Sequence, residues 1–159
     1  MTIRNFLLSA AVILMLSFVA SSQKVMGVWR LDEVKTTGTN GSTNKITQPS
    51  MYLFTKSHYS IIYVNSDKPR STDDPSKMTV GLLNQTYVDD FVANAGTYDL
   101  TGGKLTFHVM VAKSPTYMSG GNWVSFSVKV IGNTMTMTSV GSNSGPATNP
   151  ATLTFTRVE

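Results

Sequence analysis

The residues best suited to acid–base chemistry near neutral pH are the two histidines of the chain, His58 and His108. His108 lies in the strand-like run KLTFHVMVA, where an inward imidazole would hydrogen-bond a ligand carbonyl or shuttle a proton. The alternative is a histidine that is satisfied by a neighbouring Thr or Tyr, or that faces solvent. His58 lies in a turn signal, and we expect it to be solvated. His108 is therefore a candidate ligand contact, and we name no catalytic residue.

Other kinds of chemistry are poorly served by this composition. The chain has no cysteine, which excludes thiol nucleophiles, cysteine zinc sites and iron–sulfur clusters. Two histidines without a carboxylate cluster predict no metal site. The adjacent pairs Asp73-Asp74 and Asp89-Asp90 do not form a catalytic dyad, because neighbouring side chains on a helix point about 100° apart. Nucleophile-elbow, phosphate-loop and dinucleotide-binding motifs are absent from the sequence, so we predict no cofactor.

The N-terminus has the layout of a secretory signal peptide. Arg4 is followed by the apolar run FLLSAAVILMLSFVA and by the small residues Ala20-Ser21-Ser22. We expect residues 1–22 to be cleaved and residues 23–159 to form one domain, exported to the periplasm or secreted, with no stable membrane insertion after cleavage. The alternative is an anchor that stays attached. The charges are scattered singly over the chain, which argues against a nucleic-acid partner, and the oligomeric state is left open.

From Val28 onward the dominant pattern is a two-residue alternation rich in Val, Thr, Tyr, Phe and Ile, which is typical of half-buried strands. Glycine-containing turns such as Thr101-Gly102-Gly103 separate several of these runs. The sequence therefore predicts an all-β fold of eight antiparallel strands. They span residues 28–36, 50–55, 59–65, 96–100, 104–112, 123–130, 134–140 and 151–158.

One segment, between the third and fourth predicted strands, has helical spacing instead. Asp74 is a candidate N-cap, Pro75 suits the first helical position, and Gly96 suits a helix stop. Apolar residues recur at helical intervals from Val80 to Phe91. We predict a helix over residues 78–94.

The two ends of the domain indicate that the strands close into an up-and-down barrel. A buried Trp29 needs a cover for its ring and an acceptor for its N–H. Arg157 on the last strand can supply that cover by a cation–π contact, provided that the first and last strands pair. Gly27 would let the backbone turn tightly beneath the ring. Gly27, Trp29 and Arg157 are therefore predicted to close one end of the barrel.

The order of these motifs resembles that of bacterial lipocalin-like domains. The resemblance rests on GVWRL (27–31), NAGTYDLTGGKLTFHV (94–109), Ser114-Pro115, GNTMTMT (132–138) and an arginine on the last strand. It implies an eight-stranded lipocalin-type barrel.

A barrel of this size either fills its interior with side chains or holds one small apolar ligand. Alternation from Trp29 places Leu31 and Glu33 inside, together with Leu153 and Phe155. We expect Val124, Val128 and Met135 to face the interior as well. The Thr, Ser and Asp residues that alternate with them, such as Ser125, are expected to face water. On the second, third and fifth strands the inward face is not decided: Thr106, His108 and Met110, or Leu105, Phe107 and Val109, line the interior. The candidate ligand contacts are Tyr63, Tyr98, His108, Met110, Phe126 and Met137.

Three functions fit this sequence. The first is an exported binder of a small apolar or aromatic molecule. The second is an enzyme on the same barrel that uses His108 as acid–base with a tyrosine partner. The third is a filled barrel that acts as an interaction or inhibitor module through its long polar loops.

Overall fold

The computed structural model describes residues 24–39 and 41–159. The predicted signal peptide, residues 1–22, lies outside the described residues. Ten strands form one antiparallel sheet. They are β1 (Gly27–Thr36), β2 (Thr43–Lys45), β3 (Ser50–Phe54), β4 (His58–Val64), β5 (Phe91–Thr101), β6 (Lys104–Ala112), β7 (Trp123–Ile131), β8 (Thr134–Ser142), β9 (Gly145–Pro146) and β10 (Ala151–Arg157).

Eight of these strands close into a barrel. The pairing runs β10-β1-β3-β4-β5-β6-β7-β8, and β8 pairs with β10 to complete the circle. The predicted all-β barrel with paired first and last strands is confirmed in this respect. The prediction of eight strands missed β2 and β9, which pair with β1 and β8. Both lie in stretches rich in Gly, Ser and Asn, where backbone pairing occurs without the apolar alternation that marks a strand.

The helical segment is shorter than predicted and sits at a different place in the strand order. It follows β4, the fourth strand, because the short β2 precedes it. Asp74 caps a 3-10 turn, Pro75–Lys77, and Thr79 caps the helix α1, Val80–Asn84, which continues as a π-helical turn, Gln85–Asp89.

The prediction that the helix extends to residue 94 is wrong. Residues 91–94 instead begin β5, because their backbone pairs with β4, with Tyr63 opposite Val92 and Val64 opposite Phe91. Sheet pairing outweighs the helical spacing of the apolar residues here.

A β-bulge in β1 changes which side chains face inward. Leu31 lies opposite Phe155, but the next paired residue, Glu33, lies opposite Thr154 and Val34 lies opposite Leu153. One extra residue reverses the alternation. Val34 therefore packs against the core, whereas Glu33 shares the outer face with Thr154, and its predicted inward position is wrong.

Ser125 follows the predicted alternation, since it lies opposite Thr106 on the outer face, but its predicted exposure to water is wrong. It is buried, and its hydroxyl donates to the carbonyl of Gly141 at 3.3 Å. The register between β7 and β8 shifts at this point, between Ser125 and Phe126.

The core fills the half of the barrel that contains Trp29. It is built from buried aromatic and aliphatic side chains of seven of the eight long strands and of Val25, and β7 adds partly buried side chains. Phe107 alone contacts the rings of Phe54, Tyr59 and Phe126, with centroids 4.3 to 5.9 Å apart. The buried members are Val25, Trp29, Leu31, Tyr52, Phe54, Tyr59, Ile61, Tyr98, Leu105, Phe107, Met135, Met137 and Phe155.

Candidate functional site

Arg157 lies across the ring of Trp29 at one end of the barrel. Its guanidinium carbon is 4.0 Å from the ring centroid, and the two residues are directly opposite each other on β10 and β1. The indole N–H donates to the carbonyl of Val25 at 2.8 Å. Arg157 also donates to the carbonyls of Met26 and Lys24 at 2.7 and 2.6 Å. The contact predicted between the two ends of the domain is therefore present, and it covers this end of the interior.

Gly27 makes the close approach of the two chain ends possible. Its φ is +121°, and a Cβ at this position would lie 2.3 Å from the carbonyl oxygen of Glu159 and 2.7 Å from Arg157 Nη1. Any side chain would therefore displace the C-terminal backbone and the guanidinium. We call this end, with Gly27, Trp29 and Arg157, the closed end.

The opposite end, which we call the loop end, carries the long connections between strands. Several apolar side chains there pack against the core yet remain only half-buried. Val34 and Leu153 lie opposite each other in the register, and Tyr63 and Val124 occupy the corresponding part of β4 and β7. These inward-facing side chains therefore keep part of their surface exposed at this end.

Tyrosine rings lead from the core toward the loop end. Tyr52 packs edge-on against Phe155 with centroids 4.7 Å apart, and Tyr63 stacks on Tyr52 at 5.9 Å with an interplanar angle of 29°. Burial, and next the neighbouring Tyr63 hydroxyl, raise the pKa of Tyr52 well above its usual value. Burial also raises the pKa of Tyr63, which the Tyr52 hydroxyl lowers and the nearby Tyr117 raises further. These phenols are therefore neutral near physiological pH.

A cleft of about 570 Å³ lies at the rim of the loop end, between the β2 region and the chain that leaves β4. Its volume is within the range of small-molecule sites, about 300–1,000 Å³. Ile46 contributes to its wall and also packs against the core. The lining residues are Thr43, Asn44, Lys45, Ile46, Thr47, Asn65, Ser66 and Asp67.

The structure separates the six predicted ligand contacts into two groups. Tyr63 and Phe126 are half-buried inside the barrel, and Tyr98 and Met137 are buried there. Tyr98 donates to the carbonyl of Thr55 at 2.6 Å, and burial raises its pKa. A role in ligand binding stays a prediction for these four residues.

His108 and Met110 lie outside the barrel. His108 is opposite Thr97 on the outer face, and its Nε2 is hydrogen-bonded to Asp99 Oδ2 at 2.9 Å in an exposed position. Met110 is 65% exposed at the bulge between β5 and β6. The inward residues of β6 are Leu105, Phe107 and Val109, so the alternative that put His108 and Met110 in the interior is wrong.

Sequence reasoning missed three residues near the candidate site: Ile46 and Tyr117 at the loop end, and Tyr52 in the core. Ile46 follows a polar stretch and has no alternating neighbours. Tyr52 lies on a strand whose inward face the sequence left undecided, and only its pairing opposite Ile61 shows its orientation. Tyr117 belongs to a 3-10 turn, Pro115–Met118. Ser114-Pro115 was the only part of this turn that the sequence analysis noted.

The inner face carries almost no charge. Among the described strand residues that share a face with the core, Arg157 is the only charged side chain, and it covers the closed end. Within residues 24–39 and 41–159, no group of three or more His, Asp or Glu is placed to hold a metal ion. In the same part of the chain, no helix has the length and apolar character needed to cross a membrane.

A second, smaller cavity of about 210 Å³ lies on the outer surface of β4, β5 and β6. Ile62 and Val111 give it an apolar character, and both are exposed. We call it the outer groove. It offers a control site for any experiment on the interior.

Comparison with known proteins finds solved structures that are similar to this chain. Among them are a lipocalin-like protein from Bacteroides uniformis, at 15% identity and a TM-score of 0.47, and an uncharacterized protein from Bacteroides eggerthii, at 13% identity and a TM-score of 0.44. They cover 84% and 83% of this chain, and 98% of their own chains. No family model matches the sequence, and no curated protein matches it significantly. The barrel, closed between its first and last strands, is consistent with a lipocalin-like domain.

Proposed function

We propose that this protein binds a small apolar or aromatic molecule inside the loop-end half of its barrel. The observation that carries the proposal is the cleft of about 570 Å³ at the rim of the loop end, whose wall includes Ile46, a side chain that also packs against the core. The inward, half-buried side chains of Val34, Tyr63 and Leu153 lie at the same end of the barrel and would contact the ligand. Burial of apolar ligand surface against them would supply the driving force.

The proposal is tested with N-phenyl-1-naphthylamine, an uncharged fluorophore that brightens in apolar surroundings. We expect a saturable increase in fluorescence with the wild-type protein. Leu153→Trp, which fills the loop end, should weaken binding about tenfold or more, since overpacking leaves no room for the probe. Ile62→Trp in the outer groove is the matched control and should leave binding unchanged. Absence of saturable binding, or loss only in Ile62→Trp, would overturn the proposal.

The acid–base alternative has little support in the geometry. It needs an imidazole inside the barrel, but His108 lies on the outer face with Asp99 as its partner. The proposal is therefore a binding function, without a chemical step.

We also propose that the protein acts outside the cytoplasm. The support is the sequence of residues 1–22, which has the charged start, apolar run and small-residue exit of a signal peptide. Cell fractionation with N-terminal sequencing of the mature protein tests this. Recovery in the periplasm or medium with a new N-terminus near residue 23 is expected, and an intact Met1 in the cytoplasm would contradict it.

A further inference from the structure

Two stacked tyrosines, Tyr52 and Tyr63, form a file from the core toward the loop end, and Tyr117 lies near Tyr63. Tyr52 is buried on β3, Tyr63 is half-buried on the neighbouring β4, and Tyr117 is exposed on the turn between β6 and β7. Tyr52 and Tyr63 are offset by one step in the register, because Tyr52 lies opposite Ile61 and Tyr63 lies opposite Ser50. Their rings stack, which brings the two hydroxyls side by side.

Among the described residues, the surroundings of the Tyr63 hydroxyl carry no charge and are mainly apolar, although Ser50 lies opposite Tyr63 and Asn94 lies opposite Ile61 on the same face. Phe155 covers Tyr52 from below, and Val34 and Leu153 lie in the half-buried layer at the same end. A phenol hydroxyl in such a place loses hydrogen bonds to water, and a ligand group that accepts its proton restores one. The raised pKa values keep both hydroxyls protonated and able to donate.

The inner face near this file also has no charged side chain among the residues that the structure describes. An anionic ligand buried there would lack a cation to pair with, which is unfavourable. An uncharged ligand meets no such penalty.

We infer that the ligand is an uncharged, largely flat molecule with a carbonyl or comparable acceptor, which the hydroxyl of Tyr63 binds at the loop end, with Tyr52 packed behind it in the core. This rests on the proposed function and specifies its ligand class. Tyr63 is the central contact, since it lies between the buried and the exposed tyrosine. Stacking on its ring would orient a planar ligand, and the hydroxyl would select the acceptor.

Three compounds of similar shape test the inference by displacement of N-phenyl-1-naphthylamine: the ketone 2-acetylnaphthalene, the hydrocarbon 2-isopropenylnaphthalene and the anion 2-naphthoate. We expect the wild-type protein to bind the ketone about five- to tenfold more tightly than the hydrocarbon, the effect of one neutral hydrogen bond. The carboxylate should bind at least about tenfold more weakly than the ketone.

The variant Tyr63→Phe keeps the ring and removes the hydroxyl. It should bring the ketone and the hydrocarbon to within about twofold of each other while the hydrocarbon affinity is kept. Tyr87→Phe is the matched control, because Tyr87 lies on the π-helical turn under Arg70, with the guanidinium 5.2 Å from its ring centroid. The preference for the ketone should survive in this variant, and a thermal melt of each variant verifies folding.

The possible failures are distinguishable. If the fluorophore binds inside but the wild-type protein treats ketone and hydrocarbon alike, or prefers the carboxylate, the inference is overturned and the binding function stands. If Tyr63→Phe keeps the full preference, the Tyr63 hydroxyl is not the recognition element and the inference again fails. If neither the fluorophore nor any of the three compounds binds, the proposed function fails and the inference with it.

Discussion

At the scale of single residues, Trp29 and Arg157 determine how the barrel closes. Trp29 is fully buried, its N–H is paired with Val25, and Arg157 both covers the ring and donates to two backbone carbonyls that precede β1. The arginine thus joins the last strand to the first turn of the described chain. This end of the barrel is structural, and the candidate binding site lies at the other end.

We predict that Trp29→Ala lowers the free energy of unfolding by roughly 3–5 kcal/mol, since it leaves a large cavity. Arg157→Ala should cost about 1–3 kcal/mol through lost hydrogen bonds and cation–π contact. In urea denaturation, the free energy of unfolding lost by the double variant should be smaller than the sum of the two single losses. The difference should be at least about 0.5 kcal/mol. Arg30→Ala, at an exposed arginine of β1, is the control and should change stability by about 0.5 kcal/mol or less. Strict additivity would argue against the contact.

Tyr59 is a buried residue whose hydroxyl has no partner among the described residues. Burial raises its pKa to about 12 from the usual 10. The folded state therefore holds this proton more tightly than the unfolded state, so the stabilisation is fully present below about pH 10 and is lost as the pH rises toward 12.

We predict that stability is insensitive to tyrosine ionisation near neutral pH and falls above about pH 10. Tyr59 alone should account for about 2–3 kcal/mol of this loss, and Tyr52, Tyr63 and Tyr98, whose pKa values are also raised, should add to it. Urea titrations from pH 8 to 11.5 measure the slope. Tyr59→Phe should make the slope shallower while costing little at pH 8, because it removes an unpaired hydroxyl. An unchanged slope in that variant would contradict the assignment.

At the scale of the elements, β-bulges and cross-strand pairing decide what sequence patterns leave open. Alternation correctly placed Trp29, Leu31 and Phe155 in the core, but one extra residue in β1 moved Glu33 out and Val34 in. A bulge has no reliable signature in a single sequence, since it depends on the partner strand. Pairing with a partner strand also explains the error in the helix. Asp74 caps a helical turn that begins at Pro75, as the sequence predicts, but residues 91–94 pair with β4 and so belong to β5.

The bulge gives a direct contrast between adjacent residues. We predict that Glu33→Ala changes the free energy of unfolding by about 0.5 kcal/mol or less, as for an outer-face residue. Val34→Ala should cost about 1–2 kcal/mol, because two methyl groups leave an inward, half-buried position. Chemical denaturation of the two variants is sufficient. A larger loss in Glu33→Ala than in Val34→Ala would mean that the alternation continues unbroken.

At the scale of the whole molecule, Trp29 and Arg157 cover one end of the barrel, and we propose that the ligand binds at the other. The closure between first and last strands could be predicted from Trp29 and Arg157, since each needs what the other offers. The candidate site could be predicted only in part. Tyr63 was named from the sequence, but the orientation of Tyr52 required the register of β3. His108 was named as a ligand contact although alternation left its face undecided, and pairing with β5 places it outside the barrel. Residues whose orientation depends on a neighbouring strand are those that the sequence alone could not assign.

The location of the bound molecule tests the central claim most directly. Methyl-labelled protein titrated with 2-acetylnaphthalene would report contacts through chemical-shift changes. We predict the largest changes at Val34, Val124 and Leu153, at the loop end of the interior, with Ile62 and Val111 of the outer groove unaffected. Changes confined to Ile62 and Val111, or no saturable change at any methyl group, would contradict the claim that the barrel interior is the binding site.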